Sequence, residues 1–268
     1  MIPTLSEKDI KVFQETILSF YDEHERSFPW RETQDPYKIW VSEVMLQQTQ
    51  ANRVIPKYED WMKTFPTVKS LAQANMTNVL EQWKGLGYNN RAKWLRDAAK
   101  KVIDEYEGEL PTKTKELETL KGVGPYTSRA IQIFAHNMDQ VTVDTNIRRI
   151  FISEFDLDKE TSTEDIYPLA RQVLPRGKSR EWHNALMDYG ALKATSQETG
   201  VKPETTQGTF KGSNRWYRSK VLQQVMEKSR SITQVEEEYG EKGMKAVRTL
   251  RKDDMIKVGE DGKISLPK

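Results

Sequence analysis

The chain has 268 residues, 42 of them Lys or Arg and 40 Asp or Glu, so its formal net charge is only +2 and any nucleic-acid footprint must be local. There is no cysteine, which excludes disulfides, thiolate catalysis and cysteine-ligated metal or iron–sulfur centres; three histidines at unrelated positions offer no zinc pattern. The start lacks a basic-then-apolar leader and no apolar run reaches membrane-spanning length, so a soluble intracellular chain of two or three small domains is expected, cytoplasmic and, in a prokaryote, nucleoid-associated.

Ser6 is placed to cap a helix over residues 6–24, with Ile10, Phe13, Ile17, Leu18 and Tyr21 at helical spacing. Phe28-Pro29-Trp30-Arg31 and Asp35-Pro36-Tyr37 break it, and a second helix is expected over 39–51. Short helices follow over 54–63, 68–73, 77–83 and 90–106, punctuated by Phe65-Pro66-Thr67, Asn75-Met76 and Lys84-Gly85-Leu86-Gly87-Tyr88. Residues 112–119 and 125–135 then read as two helices joined by Leu120-Lys121-Gly122-Val123-Gly124, with Pro125 at the first helical position, where its missing N–H costs nothing. A turn with two glycines can aim several N–H groups one way and cradle a phosphate oxygen, or it can be an ordinary helix corner. Asp144 precedes a helix through Ile147, Ile150 and Phe151, and further helices are expected over 164–173 and 181–194. Residues 195–213 turn to Thr, Gly, Gln and Lys without periodicity, a linker or surface loop. Helices over 216–228, 232–239 (opened by Ser231) and 243–250, and a hairpin over 255–266, suggest a winged-helix-like module that binds DNA or serves for docking or dimerisation.

Taken together, Phe28-Pro29-Trp30-Arg31, Ile39 to Gln50 (IWVSEVMLQQTQ), Leu86-Gly87-Tyr88, Gly122 to Thr127 (GVGPYT) and Val143-Asp144-Thr145-Asn146 resemble the helix-hairpin-helix DNA glycosylases, nearest the MutY adenine glycosylases, over residues 10–195. The resemblance implies an all-α, two-lobed fold: a six-helix lobe with the hairpin (30–135) and a second lobe from 1–29 plus 136–195; beyond it the residues themselves give a linker at 196–215 and the small α+β module at 216–268. Two departures stand out. The four-cysteine iron–sulfur loop that such enzymes usually carry is absent, so no cluster is expected, and its DNA contact would pass to Lys193, Lys202, Lys211, Arg215 and Arg218. The β-rich domain with which MutY enzymes inspect 8-oxoguanine is not the C-terminal module seen here.

Breaking an N-glycosidic bond needs protonation of the leaving base and stabilisation of a cationic sugar, roles that two carboxyls in different surroundings can divide. Glu43 lies in an apolar stretch and, if buried, would stay protonated as a general acid; Asp144 at a helix N-terminus would stay ionised. A solvated Glu43 and a merely capping Asp144 are the alternatives. By resemblance, Glu43 protonates adenine and Asp144 stabilises the sugar. Tyr126 stands where strand-cleaving relatives carry a Schiff-base Lys, so a monofunctional enzyme is expected, with Lys121 the one route to residual lyase activity. Gln48 and Tyr88 are the residues expected to wedge into the duplex, with a core role competing for Tyr88. Trp30, Arg31, Leu46 and Asp188 are expected in the base pocket, and Gly122, Val123 and Gly124 on the DNA backbone. Asp188 stands where MutY proteins often have Glu and thymine glycosylases Asp, so removal of thymine or uracil opposite G is the rival to adenine opposite 8-oxoguanine or G. A non-catalytic DNA-binding protein and a winged-helix regulator with a helical effector domain are rivals of other classes. The expected partner is double-stranded DNA with a mismatched or damaged pair, bound by a monomer away from any membrane.

Overall fold

The computed structural model describes residues 3–204, 206 and 208–267. Residues 1 and 2 of the expected second lobe, 205 and 207 of the expected linker and 268 of the C-terminal module lie outside the described residues. The chain divides into two compact units, one of Met1–Glu43, Thr112–Thr119 and Val123–Thr206, the other of Val44–Pro111, Leu120–Gly122 and Gln207–Lys268. The fold is helical, and among the described residues small strands occur only in the C-terminal module. Among the described residues no helix is long and apolar enough to cross a membrane.

The first unit is built on α1 (Glu7–His24), α9 (Thr145–Glu154), α10 (Thr163–Gln172) and α11 (Ser179–Leu192). Ser6 and Asp9 close a capping box at the start of α1, satisfying two N–H groups that the helix itself cannot. The face of α1 that carries Phe13, Ile17 and Tyr21 is buried against Ile147, Ile150, Phe151, Leu169, Trp182 and Ala185. Phe13 is the hub, its ring 5.5 Å from Phe151 and 5.7 Å from Trp182. Such aromatic pairs add about 1 kcal/mol each beyond the area they bury. Two short helices, α7 (Thr114–Leu117) and α12 (Ser196–Thr199), and the hairpin's second helix α8 (Pro125–His136) also belong to the unit. Helix α12 lies in the stretch expected to be a linker; Thr195 and Glu198 form its capping box.

The second unit packs α3 (Ala51–Thr64), α4 (Val68–Gln73), α5 (Met76–Trp83) and α6 (Asn90–Glu105) around Trp61 and Trp83, whose rings meet edge-on at 5.5 Å. Its C-terminal part holds α13 (Asn214–Glu227), β1 (Arg230–Ser231), the helical stretch α14 (Ile232–Lys252), β2 (Lys257–Val258) and β3 (Lys263–Ser265). Gly240, at φ 57° and ψ −148°, breaks α14 where the sequence divides into two helices. The strands run antiparallel in the order β1-β3-β2, with Val258 opposite Ile264 and Arg230 opposite the same Ile264 on the other side. The hairpin was legible; β1, two residues long, was not.

Helix boundaries differ from expectation most between residues 46 and 54. Helix α2 (Pro36–Leu46) stops at Leu46 instead of running to residue 51, because Gln48 takes a left-handed backbone (φ 55°). A new helix starts at Ala51 rather than Val54.

Candidate active site

Glu43 lies on α2 with only 7% of its surface exposed, which removes the solvated alternative. Burial first, and the charge of Asp144 second, push its pKa up to about 8. The side chain is therefore protonated at neutral pH, as a general acid must be.

Asp144 caps α9, its Oδ1 accepting the Ile147 N–H at 2.7 Å. Its Oδ2 accepts from the Asn146 amide at 3.1 Å. The residue is half-buried overall, yet its carboxyl group is enclosed by protein, and this burial raises its pKa against the pull of the Ile147 and Asn146 hydrogen bonds and of Arg149. Both acids are thus lifted, which the sequence reading anticipated for Glu43 alone. Asp144 still offers the better home for the negative charge, since its oxygens accept N–H donors that a carboxylate satisfies best. Capping and a site position are not alternatives here.

Tyr126, in the first turn of α8, has its phenol pKa driven well above the ordinary value by burial, then by Glu43, Asp144 and Tyr167. It remains a neutral hydroxyl. Glu43 responds to Asp144, and Tyr126 to both, so the three expected catalytic residues share one electrostatic neighbourhood within the first unit.

A second cluster of that unit gathers Trp30, Arg31 and Asp188. Fully buried Asp188 accepts from Arg31 Nη1 and Nη2 at 2.8 Å each, from Arg26 Nε at 2.7 Å and from the Arg26 backbone N–H at 2.9 Å. Burial opposes the charge, but the Arg31 and Arg26 bonds prevail and hold the carboxyl below its usual range. Each oxygen thereby takes two donors, so Asp188 acts on its surroundings through the arginines. Trp30 stacks on Phe28 at 5.0 Å, and Phe28 receives the guanidiniums of Arg26 and Arg31, each 5.1 Å from its ring centre.

In the second unit stand Leu46, at the end of α2, and the loops bearing Gln48 and Tyr88. Both of these residues have left-handed backbones, at φ 55° and 45°. Buried Arg91 joins the loops: Nη1 donates to the carbonyls of Val44, Met45 and Gln47, and Nη2 to those of Leu86 and Gly87. Tyr88 is 38% exposed, which removes the core alternative. In the hairpin turn Gly122 adopts φ 86°, and a Cβ there would meet Trp94 at 3.3 Å, so the position calls for glycine. Val123 is buried, and exposed Gly124 caps α8 ahead of Pro125.

The profile of the HhH-GPD superfamily base excision DNA repair proteins matches residues 41–176, a stretch that includes Glu43, Tyr126, Asp144 and the hairpin. The chain belongs to that superfamily.

Among its HhH-GPD relatives, the adenine DNA glycosylase of Rattus norvegicus is 37% identical over 204 residues, covering 70% of this chain and 39% of the rat protein. The adenine DNA glycosylase of Mycolicibacterium smegmatis is 37% identical over 192 residues, covering 70% of this chain and 66% of that protein. Of solved structures, a thermostable thymine-DNA glycosylase is 31% identical with a TM-score of 0.65, covering 71% of this chain and 90% of that one. The chain thus spans about two fifths of the rat relative's length.

An iron–sulfur cluster, which adenine glycosylases of the superfamily usually carry, does not fit these residues. The chain has no cysteine, and among the described residues no three His, Cys, Asp or Glu side chains gather as a metal site. The segment that would hold the cluster is tied down by arginines of α9 instead. Arg149 donates to the Ala194 carbonyl at 2.6 Å, Arg148 donates to that of Lys202 at 3.1 Å, and Val201 is buried.

Three contributors escaped the sequence reading. Arg149 holds the Asn146 side-chain oxygen at 2.7 Å while Asn146 holds Asp144, a relay that orients the carboxylate. Arg26 shares Asp188 with Arg31. Arg91 carries the two loops. Arg26 and Arg91 reach groups far away in sequence, whereas Arg149 bonds to Asn146 only three residues before it, and an arginine in isolation carries no signal. Of the five cations expected to face DNA, Lys193, Lys202 and Lys211 are exposed, whereas Arg215 and Arg218 contact Tyr88 and Asn90.

Proposed function

We propose that the chain is a monofunctional DNA glycosylase that hydrolyses the N-glycosidic bond of adenine opposite 8-oxoguanine or guanine, working as a monomer on double-stranded DNA and without an iron–sulfur cluster. The observation that carries this reading is the buried, proton-holding Glu43 coupled to Asp144 and Tyr126. In the proposed reaction the extruded adenine takes the Glu43 proton on a ring nitrogen, and the bond from the sugar breaks with its electrons leaving on the base. Asp144, steadied by Asn146 and Arg149, stabilises the resulting cationic sugar until water adds to it and the departing proton returns to a carboxylate. Tyr126 supplies a neutral hydroxyl and no amine, so no imine with the sugar forms. Trp30, Arg31, Leu46 and Asp188 would frame the base, Gln48 and Tyr88 would fill the gap it leaves, and Gly122 to Gly124 would hold a phosphate. The same reading keeps the lobes at 30–135 and at 1–29 with 136–195, the linker at 196–215 and the C-terminal module at 216–268, and places the enzyme with DNA in the cytoplasm or nucleoid.

Removal of thymine or uracil opposite G is the second reading. Asp188 and the 31% identity to a thymine-DNA glycosylase favour it. Single-turnover excision from duplexes holding A:8-oxoG, A:G, T:G and U:G separates the two. Adenine release with intact strands before alkali supports the first; thymine release without adenine release establishes the second.

A further inference from the structure

The C-terminal module bonds directly to the loop that carries Tyr88. Arg215 of α13 donates to the Tyr88 hydroxyl, and its guanidinium carbon lies 5.1 Å from the centre of the Tyr88 ring. The same arginine donates to the Gly208 carbonyl at 2.9 Å, so it is itself anchored. One turn further along α13, Arg218 donates to the Asn90 side chain at 2.8 Å and pairs with Asp253 at 2.7 Å; Asn90 closes the triangle on Asp253 at 2.8 Å. Lys93 of α6 reaches Asp254 at 3.5 Å.

The loop between these contacts is held from within as well. Arg53 takes the Gly85 carbonyl at 2.8 Å, Trp83 Nε1 takes that of Gly87 at 2.9 Å, and Arg91 takes those of Leu86 and Gly87. Its backbone is left-handed at Gly85, Gly87 and Tyr88. A tyrosine at φ 45° persists only where its surroundings over-determine it. With backbone and ring both fixed and the residue still 38% exposed, Tyr88 is presented and not stored.

We infer that the C-terminal module is a brace for the DNA wedge, with Arg215 the positioning residue that pre-orders the Tyr88 ring for insertion into the duplex. Nothing in α13 need read a base for this. An immobilised wedge forfeits less rotamer freedom when it enters the stack, and that saving appears as tighter binding to DNA with a gap to fill. The inference rests on Tyr88 being the wedge.

The test measures affinity for a duplex with a central tetrahydrofuran abasic analogue and for its undamaged counterpart, at one fixed salt concentration, using the full chain, Tyr88→Ala, Arg215→Ala and the double variant. Thermal melting and circular dichroism establish that each is folded. Tyr88→Ala should weaken binding to the abasic duplex by about tenfold or more. Arg215→Ala should weaken it by roughly fivefold, leave the undamaged duplex within about twofold, and add nothing in the Tyr88→Ala background. Arg215→Lys should recover part of the loss, keeping the charge but not the planar fork. An equal Arg215→Ala loss with and without Tyr88 means that Arg215 works on DNA itself and overturns the brace. So does no loss, or tighter binding, while the Tyr88→Ala loss persists. If Tyr88→Ala has no effect, the wedge assignment fails and takes the brace with it.

Discussion

Glu43 is kept in a state that costs the fold. An ordinary carboxyl with a pKa of 4.5 is ionised in the unfolded chain at pH 7, whereas the buried one, at about 8, is protonated. A carboxyl whose folded pKa is raised contributes most below its unfolded value, and that contribution is lost as pH climbs from 4.5 towards 8. By pH 7 the loss is about 3 kcal/mol. Glu43→Gln, which cannot ionise, should therefore unfold at higher denaturant than the wild type at pH 7, with the gap closing towards pH 4.5. The same variant should lose roughly 10²- to 10⁴-fold in single-turnover excision. A Gln variant that is destabilised at pH 7 would mean that the side chain serves structure. His183 obeys the opposite rule. Burial lowers its pKa to about 4; Nδ1 faces the Ser179 carbonyl at 2.7 Å and Nε2 takes the Thr142 N–H at 3.3 Å, so the neutral ring is the one that fits. Stability tied to it is complete above the unfolded value of 6.5 and drains away as pH falls towards 4. Equilibrium unfolding at several pH values should show a loss of about 3 kcal/mol across that window that His183→Gln removes.

At the scale of elements, each unit contains a close approach that sequence patterns do not announce. Gly190 of α11 faces α9, where an added Cβ would lie 3.0 Å from Asn146 Cβ and 3.2 Å from Ile150 Cδ1. Gly190→Ala should push Asn146 off Asp144 and slow excision while melting only a few degrees lower. Asn146→Ala should give the same slowing without the steric cost, and a normal rate in both would remove the relay from the account. Arg91 is the second approach. Burial lowers its pKa to about 10, still charged, and the guanidinium serves carbonyls of both loops. Arg91→Met would strand several of them, at about 1–3 kcal/mol for each left unsatisfied, so chemical denaturation should find a large loss of stability. These bonds also explain where the sequence misled. The caps at Ser6, Asp144 and Ser231 are local chemistry and were legible. The end of α2 at Leu46 was not, because no Gly or Pro marks it; an arginine 44 to 47 residues away stabilises the turn by taking its carbonyls. Helix α12 and strand β1 escaped for the same reason, being too short for periodicity and fixed by distant partners.

At the scale of the molecule, the HhH-GPD match takes in residues 41–176, and the segments on either side of it are held by arginines. The stretch after α11 is fastened by Arg148 and Arg149 to backbone carbonyls, and a small α+β module grips the Tyr88 loop through Arg215 and Arg218. The candidate catalytic residues were legible because they sit in rare strings; their protonation was legible only for Glu43, since the apolar setting of α2 is written in the sequence and the enclosure of Asp144 is not. Asp188 accepts four hydrogen bonds from Arg26 and Arg31, so both of its carboxylate oxygens are taken up by the two arginines. Asp188→Asn should cost about 3–5 kcal/mol, read by urea unfolding, because it leaves two guanidiniums without their buried counter-charge. The most direct test of the central claim is the pH dependence of single-turnover adenine release from an A:8-oxoG duplex. A rate that is level below neutrality and falls tenfold per pH unit above about 8, with Glu43→Gln slow and flat over the same range, is the expected result. A wild-type rate that holds steady or rises through pH 8 to 9 would show that the proton on Glu43 is not the one the base receives.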